Sequence, residues 1–331
     1  MNDQQGKGKK QRDPAIDAVK GFAILFVVFG HALNNIIDSP RLSEVPASII
    51  EVQKIVYSFH MPLFFFLSGI FAWQSVSKYD FFSSIKDKIR RLLVPYAFWS
   101  FMLAFVKVLF PAYQNHPETW DDFLYSWKNM HGIYWYLYIL FLFFFIYIII
   151  ASLIKKEVYS GILFFCLATL LYMMYSTIAS QTDNEIIFRV CMNAVYFSLG
   201  LFGRYVFQFC EKKGAISLIF ILLFFACYYP FADRFPFLVS CLGILASIAF
   251  GVWLNKKNIL ACSLGAKSMD VYCMHQFVAG AIRIVLLHLI GIQFLWARVI
   301  FVTIVAVTGS YLIAISKISK MRAYRIAMGY R

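Results

Sequence analysis

The chain has 331 residues, of which 61% are hydrophobic, 19% aromatic and 15% charged, and its formal net charge is +14 at pH 7. This composition excludes a water-soluble globular protein, because apolar runs of membrane-spanning length recur from one end of the chain to the other. The charge does not call for a nucleic-acid partner, since the lysines and arginines cluster between the apolar runs, where they would meet anionic lipid head groups.

The apolar runs, taken in chain order, predict an all-α fold: a polytopic integral membrane bundle of about ten transmembrane helices. The predicted helices are 15–37, 51–73, 92–112, 131–153, 159–178, 187–208, 215–230, 236–254, 269–289 and 295–316. Lysine and arginine concentrate in every second gap between these runs, and the positive-inside rule then places both termini in the cytoplasm. We therefore expect a multi-pass protein that lies in a lipid bilayer.

A single membrane domain over residues 13–316 is the simplest organisation. We expect residues 1–12 to be a disordered basic arm and residues 317–331 a basic cytoplasmic tail. The first apolar run is followed by no small-residue cleavage site, so we expect it to be retained. The seven cysteines lie in or beside apolar runs without paired spacing, which predicts packing residues, with neither a disulfide framework nor a metal site.

The first apolar run carries three ionisable residues on one helical face. Lys20 and His31 are eleven residues apart, which is about three turns and ~16 Å along an α-helix, and Asp17 precedes Lys20 by three residues. Ionisable side chains within a membrane usually face a bundle interior or a wet cavity and mark functional sites. We predict such a site along this face, with Asp17 holding Lys20 in a buried ion pair. The alternative for His31 is a satisfied core histidine.

In the second apolar run, His60 lies two residues before a proline, Pro62. The proline removes a backbone donor, frees a carbonyl and bends the helix, so a polar pocket can open beside the histidine. The alternative is that Pro62 only shapes packing, which transmembrane helices tolerate. Because the second helix runs opposite to the first, we expect His60 near the depth of His31 and predict that both take part in the site.

A dense set of basic residues follows the second run, on the side predicted to be cytoplasmic. Lys88, Arg90 and Arg91, which we call the basic cluster, directly precede the third run and would offer several donors to a phosphate. The alternative is a positive anchor at the membrane surface, which we prefer for Lys78 and Lys86. The two interpretations are compatible.

Five further residues are secondary candidates for contacting a substrate. His131 opens the fourth run within an aromatic group that an interfacial belt also explains. Tyr272 and His275 lie one turn apart on one face of the ninth run, where a buried, satisfied histidine is an equal alternative. Arg189 and Arg283 lie in apolar sequence and are expected to face inward, where either could pair with a carboxylate or bind an acidic substrate.

The arrangement resembles the membrane-bound acyltransferase 3 family, particularly its fucose 4-O-acetylase-like branch. Residues 17–31 match the family's Arg/Lys-x10-His spacing, and residues 60–69 are similar to the branch's second-helix pattern. Residues 88–96 look like its Arg-x-x-Arg segment, and residues 264–275 resemble its late Gly-x-x-Ser…Tyr-x-x-His segment. The matches are spread widely, so the resemblance covers the chain as a whole.

The resemblance implies acyl transfer from acyl-CoA, in the first place acetyl-CoA, to a hydroxyl of a carbohydrate acceptor, and it implies no metal. Lys20 and the basic cluster would bind the donor's phosphates, although Lys20 and Lys88 replace arginines common in the family and lose their bidentate geometry. His31 would take the proton from the acceptor hydroxyl as it attacks the thioester. His60 would orient the acceptor, hold the thioester carbonyl or share the proton transfer.

We therefore expect an integral membrane O-acyltransferase, most simply an O-acetyltransferase, in a bacterial inner membrane. Its acceptor would be a surface polysaccharide or the lipid-linked precursor of one. An O-succinyltransferase would have the same architecture. A glycan transporter or exporter is the alternative from another class, but it would be expected to show duplicated halves and paired broken helices, which we do not find in the sequence.

Overall fold

The structure, a computed structural model, describes residues 13–115, 117–121, 132–181, 183–212, 216–255, 259–285 and 294–330. Over these residues the chain forms helices and short connections, with no strand. Each of the ten predicted apolar runs overlaps a described helix. The runs 159–178 and 187–208, each predicted as one helix, are each divided into two. The predicted arm at 1–12 lies outside the described residues.

The described helices, numbered in chain order, are α1 (Pro14–Ile37), α2 (Ala47–Gly69), α3 (Ala72–Val76), α4 (Phe81–Lys88), α5 (Val94–Leu109), α6 (Trp135–Ile154), α7 (Glu157–Met173), α8 (Tyr175–Ala179), α9 (Glu185–Leu201), α10 (Gly203–Lys212), α11 (Ile216–Phe231), α12 (Pro236–Asn255), α13 (Ile259–Ala266), α14 (Ser268–Val285), α15 (Leu295–Ile315) and α16 (Arg322–Ala327). A π-helical turn, Ile89–Leu93, joins α4 to α5. Two 3-10 turns are Pro111–Tyr113 and Lys317–Lys320.

Several of these helices are long and apolar enough to cross a membrane. Within the described part of the chain, five stretches meet this condition alone: α1, the continuous helix from α4 to α5, α6, most of α12, and α15. The pair α9 and α10, which is bent by 59°, makes a sixth if it is one span. The protein is therefore a membrane-embedded helical bundle, while the count of ten spans and the location of the termini remain predictions.

Helix α1 is central to the bundle and packs against α2, α12, α13, α14 and α15. Asp13 caps its first turn by accepting the backbone N–H of Ala15 at 3.0 Å, and Pro14 occupies the first position, where no N–H donor is needed. Its approach to α13 requires glycine at Gly21 and Gly265, because a Cβ atom at either position would collide with the backbone of the other helix. The ionisable face of α1 is therefore held among other helices.

The basic cluster lies inside a helix, whereas the sequence predicted a gap before a helix at 92–112. Asp80 caps α4, and the helix continues through the π-helical turn into α5. The reason for the difference is local charge pairing. Asp87 lies 2.8 Å from both Arg90 and Arg91, at the spacings of three and four residues that bring side chains together on a helix. This pairing stabilises a helical turn that the charges alone would disfavour.

The C-terminal residues fold back onto the bundle. Tyr324 and Tyr330 donate their hydroxyl groups to the two carboxyl oxygens of Asp270, each at 2.6 Å. Asp270 is 1% exposed, so these two donors satisfy a buried carboxyl group on α14. Gly329, at a φ of 64°, lies against the backbone of Arg90, where no side chain would fit. The segment thus ties α14 to the π-helical turn.

A Tyr324→Phe/Tyr330→Phe double variant should lower the thermal stability of the detergent-purified protein. Each change leaves a buried carboxyl oxygen without its donor, which costs about 1–3 kcal/mol. Thermal unfolding followed by tryptophan fluorescence measures the effect. The matched control is Tyr205→Phe, because Tyr205 is 75% exposed and its loss of a hydroxyl should change little. A double variant as stable as this control would contradict the structural role of the contact.

Candidate functional site: a cavity beside a histidine pair

A cavity of about 170 Å³ lies where α1, α2, α6 and α14 meet, next to the π-helical turn. Lys20 lines it, and so does Val27, two turns further along α1, so the cavity follows the face of α1 that carries the ionisable residues. Its lining is mostly apolar and includes the side chains of Ser68, Tyr136 and Tyr272. The bundle therefore encloses a largely apolar space with a cation in its wall.

Lys20 and Asp17 form the ion pair that the sequence predicted. The ammonium nitrogen lies 3.8 Å from a carboxylate oxygen, and the two side chains are 27% and 14% exposed. The same ammonium lies 4.7 Å from the centre of the Phe71 ring, which is a cation–π distance. Lys20 is therefore held by two neighbours at the proximal end of the bundle, by which we mean the end where α1 begins.

His31, the predicted general base, lies against a second histidine. Its ring centre is 5.3 Å from that of His275 on α14, with the rings tilted by 31°. His275 is buried, and its Nδ1 lies 2.7 Å from the carbonyl oxygen of Tyr272, which can only accept, so we assign the proton to Nδ1. Its Nε2 is buried without a hydrogen-bond partner among the described residues. His275, a secondary candidate from sequence, is thus the direct neighbour of His31.

His60 is buried on α2, next to Met61, which lines the cavity. Its Nδ1 lies 2.8 Å from the carbonyl oxygen of Val56, one turn earlier in the helix. By the same argument as for His275, this contact assigns the proton to Nδ1 and leaves a lone pair on Nε2. The three histidines of the site therefore come from three different helices.

A serine from α12 satisfies the backbone carbonyl that Pro62 leaves without a donor near His60. Pro62 leaves the carbonyl of Ser58 without its helical N–H donor, and Ser240 donates its hydroxyl to that carbonyl at 2.6 Å. The freed carbonyl is therefore satisfied within the protein, which supports the interpretation that Pro62 shapes packing. The position of His60 follows from this packing.

A hydrogen-bonded network that the sequence analysis missed lies at the distal side of the histidines, away from Lys20. Gln53 donates its side-chain amide to the oxygen of Asn34 at 2.9 Å, and Asn34 donates to the Tyr57 hydroxyl at 2.5 Å. The Tyr57 ring centre lies 4.6 Å from that of His60. Helical spacing could have indicated this network, because Asn34 follows His31 by three residues and Tyr57 precedes His60 by three.

The structure does not bring Lys20 and the three residues of the basic cluster into one group. Lys88 is buried, donates to the Ser75 hydroxyl at 2.9 Å and lies 3.5 Å from the centre of an aromatic ring of α6. The side chains of Arg90 and Arg91, which share the Asp87 carboxylate, are 28% and 57% exposed. The two arginines are therefore accessible, whereas Lys88 is held in helix packing.

Tyr272 braces α14 against the start of α6. Its hydroxyl donates to the carbonyl oxygen of Ile133 at 2.8 Å, and in return Tyr134 donates to the carbonyl oxygen of Cys273 at 2.7 Å. Both tyrosines are buried, so the two hydrogen bonds fix the relative position of the helices that carry them. The brace lies one turn from His275 and holds it in place.

The remaining secondary candidates separate into different environments. Arg189 is paired with Glu185 at 2.7 Å and lies 4.6 Å from the centre of the Trp135 ring. Of the two predicted roles, carboxylate pairing or substrate binding, the structure therefore shows carboxylate pairing. Arg283 lies on α14, and its buried Nε has no hydrogen-bond partner in the described part of the chain. His131 lies outside the described residues.

The fold and the cavity define a helical membrane protein with a buried polar site, and comparison with known proteins places it more closely. A family profile described as an acyltransferase domain matches residues 13–315, nearly the whole chain. The chain therefore belongs to the acyltransferase 3 family. This match confirms the resemblance seen in the sequence.

Two curated proteins are similar to part of the chain. They are the nodulation protein NolL of Sinorhizobium fredii, 31% identical over 135 residues, and the nodulation protein NolL of Mesorhizobium japonicum, 29% identical over 137 residues. Each alignment covers 40% of this chain and 34% of the relative, so the match spans about a third of the relatives' length. No solved structure matches the chain significantly.

The hydrogen bond from Ser240 to the freed carbonyl of Ser58 predicts a coupled effect on stability. Ser240→Ala should destabilise the protein by about 1–3 kcal/mol, because it leaves a buried carbonyl unsatisfied. In a Pro62→Ala background, which restores the helical N–H donor, the same change should cost much less. Ser247→Ala is the matched control, since Ser247 donates to a carbonyl one turn earlier in its own helix. Equal losses in both backgrounds, measured by thermal unfolding, would contradict this account.

Proposed function

We propose that the protein is an O-acyltransferase that moves an acyl group, most simply acetyl, from acyl-CoA to a sugar hydroxyl. The acceptor would be a surface polysaccharide or its lipid-linked precursor at a bacterial inner membrane. The observation that carries the proposal is the face of α1, on which Lys20 lines a cavity and His31 meets His275 further along the helix. A cation for the donor and an imidazole for the acceptor are the two groups that this reaction needs.

The proximal end suits a phosphorylated donor. Acyl-CoA carries several phosphates on its nucleotide and a thioester at the end of a long arm, so it needs cations outside an apolar entrance. Lys20 lines the cavity, and Arg90 and Arg91 belong to the π-helical turn that also carries the cavity-lining Leu92. The two arginines share the single carboxylate of Asp87, which leaves a positive excess. We assign Lys88, which is buried against α6, to packing and not to the phosphates.

The size of the cavity is compatible with a short acyl group. Its volume of about 170 Å³ gives room for an acetyl or succinyl group together with the end of the donor's arm. The apolar lining also keeps bulk water from the thioester, which limits wasteful hydrolysis.

The proposed step is attack of the acceptor hydroxyl on the thioester carbonyl. His31 takes the hydroxyl proton as the C–O bond forms, the C–S bond breaks, and the leaving thiolate of CoA receives the proton. His60 and His275, each with Nδ1 directed at a backbone carbonyl, present Nε2 as an acceptor that can orient the sugar. Asp17 lies 3.8 Å from Lys20, which lines the cavity, so we propose it as a positioning residue.

The test is CoA release by purified protein in proteoliposomes supplied with acetyl-CoA and a glycolipid or polysaccharide fraction. His31→Ala should reduce the rate by about 10²–10⁴-fold, because it removes the general base. Chromatography quantifies free CoA, and mass spectrometry detects the acetylated glycan. Thr308→Ala, an exposed change on α15, should leave the rate unchanged.

Two results would contradict this proposal. Turnover by His31→Ala close to that of the wild type, at equal folded protein, would remove His31 from the role of base. Movement of glycan across the membrane with no release of CoA would identify a transporter.

Replacing Arg90 and Arg91 by glutamine should raise the KM for acetyl-CoA more than it lowers kcat. The two guanidinium groups would bind phosphates equally in the ground and transition states, which is uniform binding. With this change, the KM should rise less for dephospho-CoA thioesters than for CoA thioesters. Lys86→Gln is the matched control, because Lys86 is exposed on the same helix and carries the same charge. Equal effects in the control and the double variant would mean that the cluster acts only as a surface anchor.

A further inference from the structure

Three arginines meet at the distal end of the bundle, beyond the histidines. Arg41 follows α1, Arg283 lies near the end of α14 and Arg298 near the start of α15. All three line one crevice together with Asn35 of α1, and Arg283 and Arg298 also line an adjoining crevice with Ala32. We call Arg41, Arg283 and Arg298 the distal arginines. Nothing in their sequence spacing predicts that they meet.

The distal arginines carry a charge that the described residues do not balance. Over the described ranges, no carboxylate lies within 4 Å of any of their guanidinium groups, although other cations of the chain have such partners. Arg41 donates to the carbonyl oxygen of Ala112 at 2.7 Å, and the buried Nε of Arg283 has no partner there. Like charges grouped in this way repel, so the arrangement gains from an added anion.

These side chains do not have the character of ordinary surface anchors. Arginines that anchor a helix end extend outward to lipid head groups with their charged ends in water. Here Arg283 and Arg298 are half-buried and converge on a crevice inside the bundle, together with the amide of Asn35. The positive-inside rule also gives no reason for a cationic group at this end, which faces away from the cytoplasm on the predicted topology.

The crevice lies next to the histidine pair. Asn35 is one turn beyond His31 on α1, a rise of about 6 Å, and Arg283 is two turns beyond His275 on α14. At eight residues the rise on α14 is about 12 Å. A ligand with an anionic group at the arginines therefore reaches the imidazoles across about 6–12 Å along the helices, which is roughly the length of one or two sugar rings.

We propose that the distal arginines bind a phosphate or diphosphate group of the acceptor. The proposal rests on the proposed function and deepens it, because it names the acceptor class: a sugar that carries a phosphate next to the hydroxyl to be acylated. Guanidinium groups match phosphate oxygens with paired donors, and three of them suit a diphosphate better than a single carboxylate. Each crevice has a volume of about 10 Å³, which is less than a phosphate group needs, so the arginine side chains must move apart to admit the anion.

The first experiment measures anion binding without acyl transfer. Inorganic diphosphate should raise the melting temperature of the wild-type protein in neutral detergent, and it should raise that of Arg283→Gln and Arg298→Gln much less. Arg234→Gln is the matched control, because Arg234 is an exposed arginine outside the crevice. No shift with the wild type, or equal shifts in the wild type and both crevice variants, would overturn the site. A shift confined to the wild type and the control supports it even if no acyl transfer is detected.

The second experiment measures the acceptor. With a lipid-linked sugar diphosphate as acceptor, Arg283→Gln should raise the acceptor KM by about 10-fold or more, since a charge-assisted hydrogen bond is lost, and it should leave the acetyl-CoA KM unchanged. The bound phosphate could belong to the acceptor or to anionic phospholipid. Nanodiscs of defined lipid composition distinguish these two sources. If Arg283→Gln only loses bound anionic phospholipid while the acceptor KM stays the same, the arginines serve bulk lipid and the proposal is overturned.

Discussion

A membrane helix that carries charged and titratable side chains must be enclosed by other helices or by water, and α1 carries such side chains along most of its length. Lys20 lies near its proximal end, His31 in its distal half and Asn35 one turn further. The packing of five helices around α1 follows from this constraint. Contacts at Gly21 and Gly265 bring α13 so close that the face of α1 cannot rotate toward lipid without a backbone collision.

The helices that enclose α1 carry polar groups of their own, and most of these groups have a hydrogen-bond partner within the protein. Ser240 supplies the donor that Pro62 removes, and the C-terminal tyrosines supply two donors to Asp270. Among the described residues, seven buried side-chain nitrogen and oxygen atoms have no hydrogen-bond partner, and two of them are Nε2 of His275 and Nε of Arg283. Both lie on α14, beside His31 and beyond it. Unsatisfied groups of this kind are where a ligand gains most by binding.

The features that the sequence could predict are those set by the spacing of residues within one helix. The helical content, the shared face of Lys20 and His31 and the pair with Asp17 all follow from the periodicity of one helix. The pairing of Asp87 with the arginines three and four residues later follows the same rule and explains why the helix extends back beyond the predicted start at 92. The contact between His31 and His275 joins residues far apart in the chain. No periodicity reports such a contact, and the same holds for the distal arginines and the C-terminal tyrosines.

The most direct test of the account is a structure of the protein in nanodiscs with a non-hydrolysable acyl-CoA analogue, determined by cryo-electron microscopy. The account predicts that the arm of the analogue occupies the cavity between α1, α2, α6 and α14, with its phosphates at Lys20, Arg90 and Arg91. The carbonyl that replaces the thioester should lie within hydrogen-bonding reach of the space beside His31 and His275. An analogue bound outside this cavity, or one whose acyl end stops at a closed apolar layer far from His31, would contradict it.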